Sequence, residues 1–309
     1  MTNDVNIQPA AQIGKKVLVV GATGFLGSKI VQNLAREKNI VVRAMSRRGA
    51  SAATNTELEW VKGDMMDPAS LDAALRGVDV VVSSANGYMK EAIEADFLGN
   101  KNLIEAAARA KVKRFVFLSI VNCDEASSVP HFHAKKVAED LIKATGVPYV
   151  FVRAPAFLDQ SSDYIADGVK SGRFYAVGDM KTQWSYVLTD DLAPCLAKAA
   201  LYPGEDINNN TIDIGWSDGP KNQKEIADTI SVVTNTKLST WVVPWFIFQL
   251  FVYPTKLFSE LGYDLMQMFL FFKKGRFVSD ITKQERFFGS APTSKEAIAK
   301  WAKYNKLIT

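Results

Sequence analysis

Lys15-Lys16-Val17-Leu18-Val19-Val20-Gly21-Ala22-Thr23-Gly24-Phe25-Leu26-Gly27 decides the fold, because an apolar run there leads into glycines spaced G-x-x-G-x-x-G. Val17 to Val20 have the β-branched, all-apolar character of a strand buried on both faces, and helical spacing takes over from Ser28 to Leu34. A strand therefore enters a helix through a glycine turn. In such a turn Gly21 supplies the tight backbone, Gly24 lets a pyrophosphate approach the main chain, and Gly27 lets the helix pack on the strand. The free N–H groups and the positive end of the helix dipole face the phosphates. The candidate contacts are Gly21, Thr23, Gly24, Phe25, Leu26 and Gly27. The competing reading is an ordinary βα turn, which the flanking strand and helix disfavour.

Outward from the turn, Ile40 to Met45 reads as a second strand ending in Ser46-Arg47-Arg48-Gly49. In a dinucleotide fold an acid about 20 positions past the glycines favours NAD, and an arginine accommodates a 2′-phosphate. Arg47 and Arg48 stand there with no acid, which predicts NADP(H); two solvated surface arginines are the bland alternative. Leu58 to Asp64 alternates as a third strand, Pro68 opens a helix running through Arg76 to a stop at Gly77, and Val78 to Ser84 is a fourth strand. Its end, Ser84-Ala85-Asn86, is expected to pass along the middle of the cofactor. A helical stretch from Asp96 to Ala107 precedes a fifth strand, Arg114 to Ser119. Pro130 opens a helix from His131 to Thr145 closed by Gly146, and Val147 to Pro155 supplies a sixth strand. This alternation predicts an α/β fold with a doubly wound parallel sheet.

The glycine turn resembles that of the extended and atypical short-chain dehydrogenase/reductases. Lys135-x-x-x-Glu139, the Gly146-Val147-Pro148-Tyr149 turn and Arg153-Ala154-Pro155-Ala156-Phe157 are similar to the NmrA-like atypical branch. The resemblance extends to Trp184 to Ala193, Thr211 to Gly215 and the helix start at Gln223. It implies a flexible leader over 1–14, a Rossmann domain over 15–156, and over 157–309 a smaller, mostly helical substrate region interleaved with the last strands. It sets Asp64 and Met65 against the adenine, although a turn acid is an equal reading of Asp64. Pro155 and Phe157 join the cofactor candidates. Asp190 and Asp191 are read as helix-start acids without catalysis.

Reductases of this superfamily use a Tyr-x-x-x-Lys pair, in which the lysine holds the nicotinamide ribose and lowers the pKa of the tyrosine. With Lys135 as that lysine, His131 occupies the position of the tyrosine. His131 can exchange a proton near neutrality, or it is simply a helix-start histidine. Isoflavone-reductase-like members of the resembling group lack the tyrosine and rely on the lysine. Ser119 stands where the superfamily places its substrate-orienting serine, or bonds the backbone at a strand end. Lys135, His131 and Ser119 are the catalytic candidates.

Trp241 to Phe272 departs from the branch in its density of aromatic and aliphatic residues, interrupted by Pro254, Lys256, Glu260 and Asp264. The interruptions exclude a transmembrane span of about 20 residues and suggest two amphipathic helices. A core or dimer face, the lining of a greasy pocket, and a membrane-surface patch all remain open, with Lys273, Lys274 and Arg276 suiting either a helix C-terminus or anionic headgroups.

In 309 residues, 48% hydrophobic composition is ample for a core, and a scattered net charge of +4 argues against a nucleic-acid partner. Two cysteines, Cys123 and Cys195, offer neither metal spacing nor a disulfide framework, so a reducing compartment is expected. The first residues lack a signal-peptide core, which indicates the cytoplasm, with organelle targeting left open. The functional expectation is an NADPH-dependent reductase of a small to medium lipophilic carbonyl or conjugated alkene, acting as monomer or homodimer. A non-catalytic NADP(H)-binding redox sensor or complex-associated protein is the alternative, and an epimerase the third reading.

Overall fold

The computed structural model describes residues 14–49, 58–85, 94–159, 162–254 and 259–309. The leader before Gly14, Asn86, Lys256 and Phe258 lie outside the described residues, as does the side chain of Phe251. In chain order the first half contains β1 (Lys15–Val20), α1 (Phe25–Ala35), β2 (Ile40–Ser46), β3 (Glu59–Lys62), α2 (Pro68–Ala74) and β4 (Val80–Ser83). A π-helical turn (Glu94–Gly99) then leads into α3 (Asn100–Arg109), β5 (Arg114–Ile120), α4 (Pro130–Thr145) and β6 (Tyr149–Ala154). The second half contains β7 (Ala156–Phe157), α5 (Ser162–Lys170), β8 (Arg173–Val177), β9 (Tyr186–Val187), α6 (Thr189–Leu201) and β10 (Asn210–Asp213). It continues with α7 (Gln223–Thr234), β11 (Ser239–Val243), α8 (Trp245–Val252), α9 (Glu260–Lys273), α10 (Thr282–Phe288) and α11 (Ser294–Tyr304).

Seven strands form one parallel sheet in the order β10-β6-β5-β4-β1-β2-β3. The chain winds outward from β1 to β3, then returns to place β4 on the other side of β1. The carboxyl ends of β1 and β4 thus flank the topological switch point, where an open α/β sheet leaves its crevice. Alternate side chains of each strand enter different cores: Val17 and Val19 pack with α1 and α6, whereas Leu18 and Val20 pack with α2 and α3. That two-sided burial is why the strands read as unbroken apolar runs. β10 belongs to this sheet and α6 packs beside α1, so the chain beyond Phe157 re-enters the nucleotide-binding layer.

α4 begins with Pro130 in its first turn and ends at Gly146, whose φ of +72° lets its N–H reach the carbonyl of Lys143. α2 ends at Ala74, short of the expected Arg76. Trp241 to Phe272 contains the two expected helices, but its first residues belong to a strand. Ser239-Thr240-Trp241-Val242-Val243 is a strand paired with β8, because its β-branched and aromatic residues suit an extended partner. Pro244 ends the strand and stands as N-cap of α8, and α9 follows. Among the described residues no helix is long and apolar enough to cross a membrane.

Candidate active site

The cleft at the switch point is built on the glycine turn. Gly21 has a φ of +84° and its carbonyl accepts the N–H of Gly24 at 2.9 Å. A Cβ on Gly27 would lie 1.9 Å from the Gly21 oxygen, so only glycine lets α1 start this close to β1. Gly24, the N-cap of α1, brings no side-chain acceptor, and the first turn contains no acid. Its N–H groups and dipole are left to an anion, which is the provision a pyrophosphate needs. The cleft encloses about 530 Å³ and runs from Gly21 and Thr23–Gly27 past Ser84 and Ala85 to Ser46, Arg47, Asp64 and Met65. The Ser46 hydroxyl donates to the Gly49 carbonyl at 3.1 Å, closing the turn that carries Arg47. Arg48 is exposed and does not line the cleft. Asp64 lines the cleft, and its carboxylate accepts the Met66 N–H at 2.9 Å as a turn acid does.

A second cavity of about 300 Å³ adjoins the first, sharing Leu118 and Phe157 with it. Phe132, Phe174, Tyr175, Trp184 and Tyr186 give it aromatic walls, joined by Met268, Phe269 and Phe272 of α9. Ser119, His131 and Lys135 bring polar atoms to it, and Pro155 lines it instead of the cleft. Lys135 is only 2% exposed, its Nζ donating to the Ala85 carbonyl at 3.2 Å and lying 3.3 Å from Asp96 Oδ1. A buried ammonium needs such partners. Ala85 and Asp96 line the cleft, whereas Lys135 lines the aromatic cavity, so this charge stands where the two spaces meet.

One turn earlier, the His131 N–H donates to Asp264 Oδ1 at 3.0 Å, and the imidazole Nδ1 touches the same carboxylate. Asp264 thereby ties α9 to the start of α4 beside the cavity. Ser119 Oγ lies 3.7 Å from Cys123 Sγ, itself 3.7 Å from the fully buried Glu139. Arg153 grips Glu139 through both carboxylate oxygens, at 2.9 and 2.8 Å, pinning α4 to β6. Burial, then the Glu139 charge, pushes the Cys123 thiol up to about 12. It is a packed thiol with no thiolate at neutral pH.

The profile of the NmrA-like family matches residues 14–289. This chain belongs to the NmrA-like family. It is 31% identical over 182 residues to the photosystem II assembly factor Ycf39 of Cyanophora paradoxa, across 57% of this chain and 56% of that protein. It is 32% identical over 157 residues to (4-alkanoyl-5-oxo-2,5-dihydrofuran-3-yl)methyl phosphate reductase of Streptomyces griseus, across 50% and 52%. The chain spans about half the length of these curated relatives. Triphenylmethane reductase of Citrobacter sp., crystallised with NADP(H), superposes with a TM-score of 0.75 over 92% of this chain and 99% of that one, at 22% identity. That likeness is one of fold: the NmrA-like protein shares the Rossmann architecture of that structure.

Asp96 and Asp264 escaped the sequence reading. Asp96 and Asn100, four apart, lie on the same buried stripe as Leu103 and Ala107, and a polar pair on an apolar helix stripe is a legible sign of buried polar work. Asp264 interrupts an aromatic run, but nothing in its neighbours indicates the distant His131. Lys29 was also missed; its Nζ meets the Thr189 hydroxyl at 2.7 Å and Asp190 at 2.8 Å, linking α1 to the start of α6 at the cleft. Asp190 and Asp191 both serve in ion pairs, the latter with Lys300 at 2.7 Å.

Proposed function

We propose that this NmrA-like protein is an NADPH-dependent reductase of a small to medium lipophilic carbonyl or conjugated alkene. The observation that carries this reading is the buried Lys135 ammonium at the junction of a dinucleotide-shaped cleft and an aromatic cavity. The N–H groups from Thr23 to Gly27 hold the pyrophosphate, Arg47 meets the 2′-phosphate with Arg48 behind it, and Asp64 and Met65 border the adenine. Ser84, Ala85 and Phe157 flank the middle of the cofactor. NADPH, when bound, supplies the hydride.

Lys135 holds the ribose hydroxyls and stabilises negative charge gathering on the substrate oxygen. His131 is the proton donor within the cavity, its imidazole held by Asp264, and Ser119 orients the carbonyl. With bound NADPH supplying hydride to the electrophilic carbon as the C=O or C=C π bond opens, the proton from His131 would complete an alcohol or a saturated ketone. Phe132, Phe174 and Trp184 keep water away and stack on a flat apolar substrate.

A second reading has its own observation: Lys135 is already engaged by Asp96 and Ala85, and the position of the tyrosine is filled by a histidine bound to Asp264. This suits a protein that binds NADP(H) without turnover, and a relative named as an assembly factor agrees with it. Oxidation of NADPH, followed at its nicotinamide absorbance with a panel of quinones, enones and aryl ketones, separates the two. Turnover lost in Lys135→Ala supports the reductase. Tight NADPH binding with no oxidation by any acceptor refutes it in favour of the second reading.

A further inference from the structure

β11 and α8 present an apolar face that the fold leaves in solvent. β11 pairs with β8, setting Trp241 opposite Tyr175 and Val243 opposite Val177, and all five of its residues are exposed. α8 packs one side inward, with Trp245 and Phe248 against Phe269 of α9 at ring separations of 6.2 and 4.7 Å. Phe246, Leu250 and Tyr253 follow the i, i+4, i+7 spacing of another side and are 70, 71 and 55% exposed; Trp241 is 59% exposed. Soluble monomers seldom leave so many large apolar groups side by side in water.

The rim of this face is basic. The Arg173 guanidinium lies 5.9 Å from the Trp241 ring centre. Trp245 Nε1 donates to Asp179 at 3.4 Å, and the same carboxylate caps the N–H groups of Lys181 and Thr182. Gly275 abuts Thr182, so exposed Lys181, Lys273 and Lys274 gather beside the Trp245 end of α8. Asp179, the acid among them, is occupied by its own turn. An apolar aromatic face with cations at its edge matches a lipid surface with anionic headgroups better than it matches a second basic copy of itself.

We propose that β11 and α8 form a docking site for an anionic bilayer surface, with Trp241, Phe246, Leu250 and Tyr253 entering the headgroup–acyl boundary and Lys181, Lys273 and Lys274 meeting the headgroups. The docking does not rest on the reductase reading, but it gives that reading a source of substrate. Tyr175 lines the aromatic cavity and pairs with Trp241, while Phe269 lines it and supports α8. Through these two residues the docking face backs onto the cavity wall, which would bring a lipophilic substrate dissolved in the bilayer close to the cavity.

Co-sedimentation of the full chain with vesicles of phosphatidylcholine, alone or mixed with phosphatidylglycerol, tests this. The wild type pellets with the mixed vesicles. Phe246→Glu with Leu250→Glu weakens that binding by at least about tenfold. Lys273→Glu with Lys274→Glu weakens it by about 30-fold, at roughly 1 kcal/mol for each lysine removed, and leaves the weak binding to neutral vesicles unchanged. Retained NADPH binding shows that each variant is folded, and quenching of tryptophan fluorescence by brominated acyl chains, diminished in Trp241→Phe, places the face in the lipid independently. The proposal is overturned by a wild type that stays in the supernatant, by variants that pellet as the wild type does, or by light scattering that shows a dimer dispersed by Phe246→Glu and indifferent to vesicles.

Discussion

Replacing Lys135 by methionine keeps most of its length and removes its charge. The side chains of Lys135 and Asp96 are 3% and 2% exposed, so the Asp96 carboxylate then loses its ammonium partner where water cannot substitute for it. Breaking a buried pair from one side costs about 3–5 kcal/mol, whereas removing both charges is close to neutral. Lys135→Met should therefore lose about 3–5 kcal/mol, and Lys135→Met with Asp96→Asn should return to within about 1 kcal/mol of the wild type. At about 2–4 °C for each kcal/mol in a large domain, the single change lowers Tm by about 6–20 °C. Urea unfolding and thermal melts at neutral pH measure this, and NADPH oxidation is followed on the same samples. The double variant recovers stability while its turnover stays about 100-fold down, because the ammonium that stabilises developing charge is absent. A single variant as stable as the wild type, or a double variant that regains turnover, would refute the reasoning. The buried Asp96 is what makes Lys135 costly to change alone.

Gly27→Ala forces a Cβ to within 1.9 Å of the Gly21 carbonyl, a backbone atom that cannot step aside, so α1 must shift. Calorimetry should record a loss of at least about 2 kcal/mol and no measurable NADPH affinity. Arg47→Asp should weaken NADPH binding by about 100-fold and spare NADH, as read by titration of both nucleotides, because it turns a favourable contact with a doubly charged phosphate into repulsion; an unchanged preference removes Arg47 from the cofactor site. Asp213 is raised to about 6, chiefly by burial, against the opposing effects of the Asp280 N–H and Arg153. A carboxyl raised in the folded state binds its proton more tightly there, so stability falls as pH rises from the unfolded value of about 4 to about 6 and stays lowered above it. Asp213→Asn should flatten that decline and gain roughly 2 kcal/mol at pH 7 in urea titrations; a wild type whose stability rises across this window contradicts the assignment.

The fold and half of the site are local facts of this chain. The apolar strands, the G-x-x-G-x-x-G turn and the Arg47 position can be read in order, since each depends on residues within one βα unit and the parallel crossover rule leaves little choice of topology. Lys135, His131 and Ser119 were legible as candidates through the resemblance to the superfamily's tyrosine–lysine pair and serine. Their partners were not. Asp96 meets Lys135 from 39 residues away, Asp264 meets His131 from 133, and Arg153 meets Glu139 across a turn and a strand. Trp241 to Val243 became a strand because β8 offered it an edge, a preference that β-branched residues express only when a partner is present. The sequence by itself determined the Rossmann sheet and its glycine turn, which follow from short-range periodicity and backbone sterics, and it pointed to the family through the resemblance of its motifs. Only the tertiary structure decided that Lys135 is a buried ion pair, that α9 walls the cavity while one side of α8 stays in solvent, and that Pro155 faces the cavity and not the cleft. Burial and charge pairing depend on what packs from distant parts of the chain, and no local pattern encodes that.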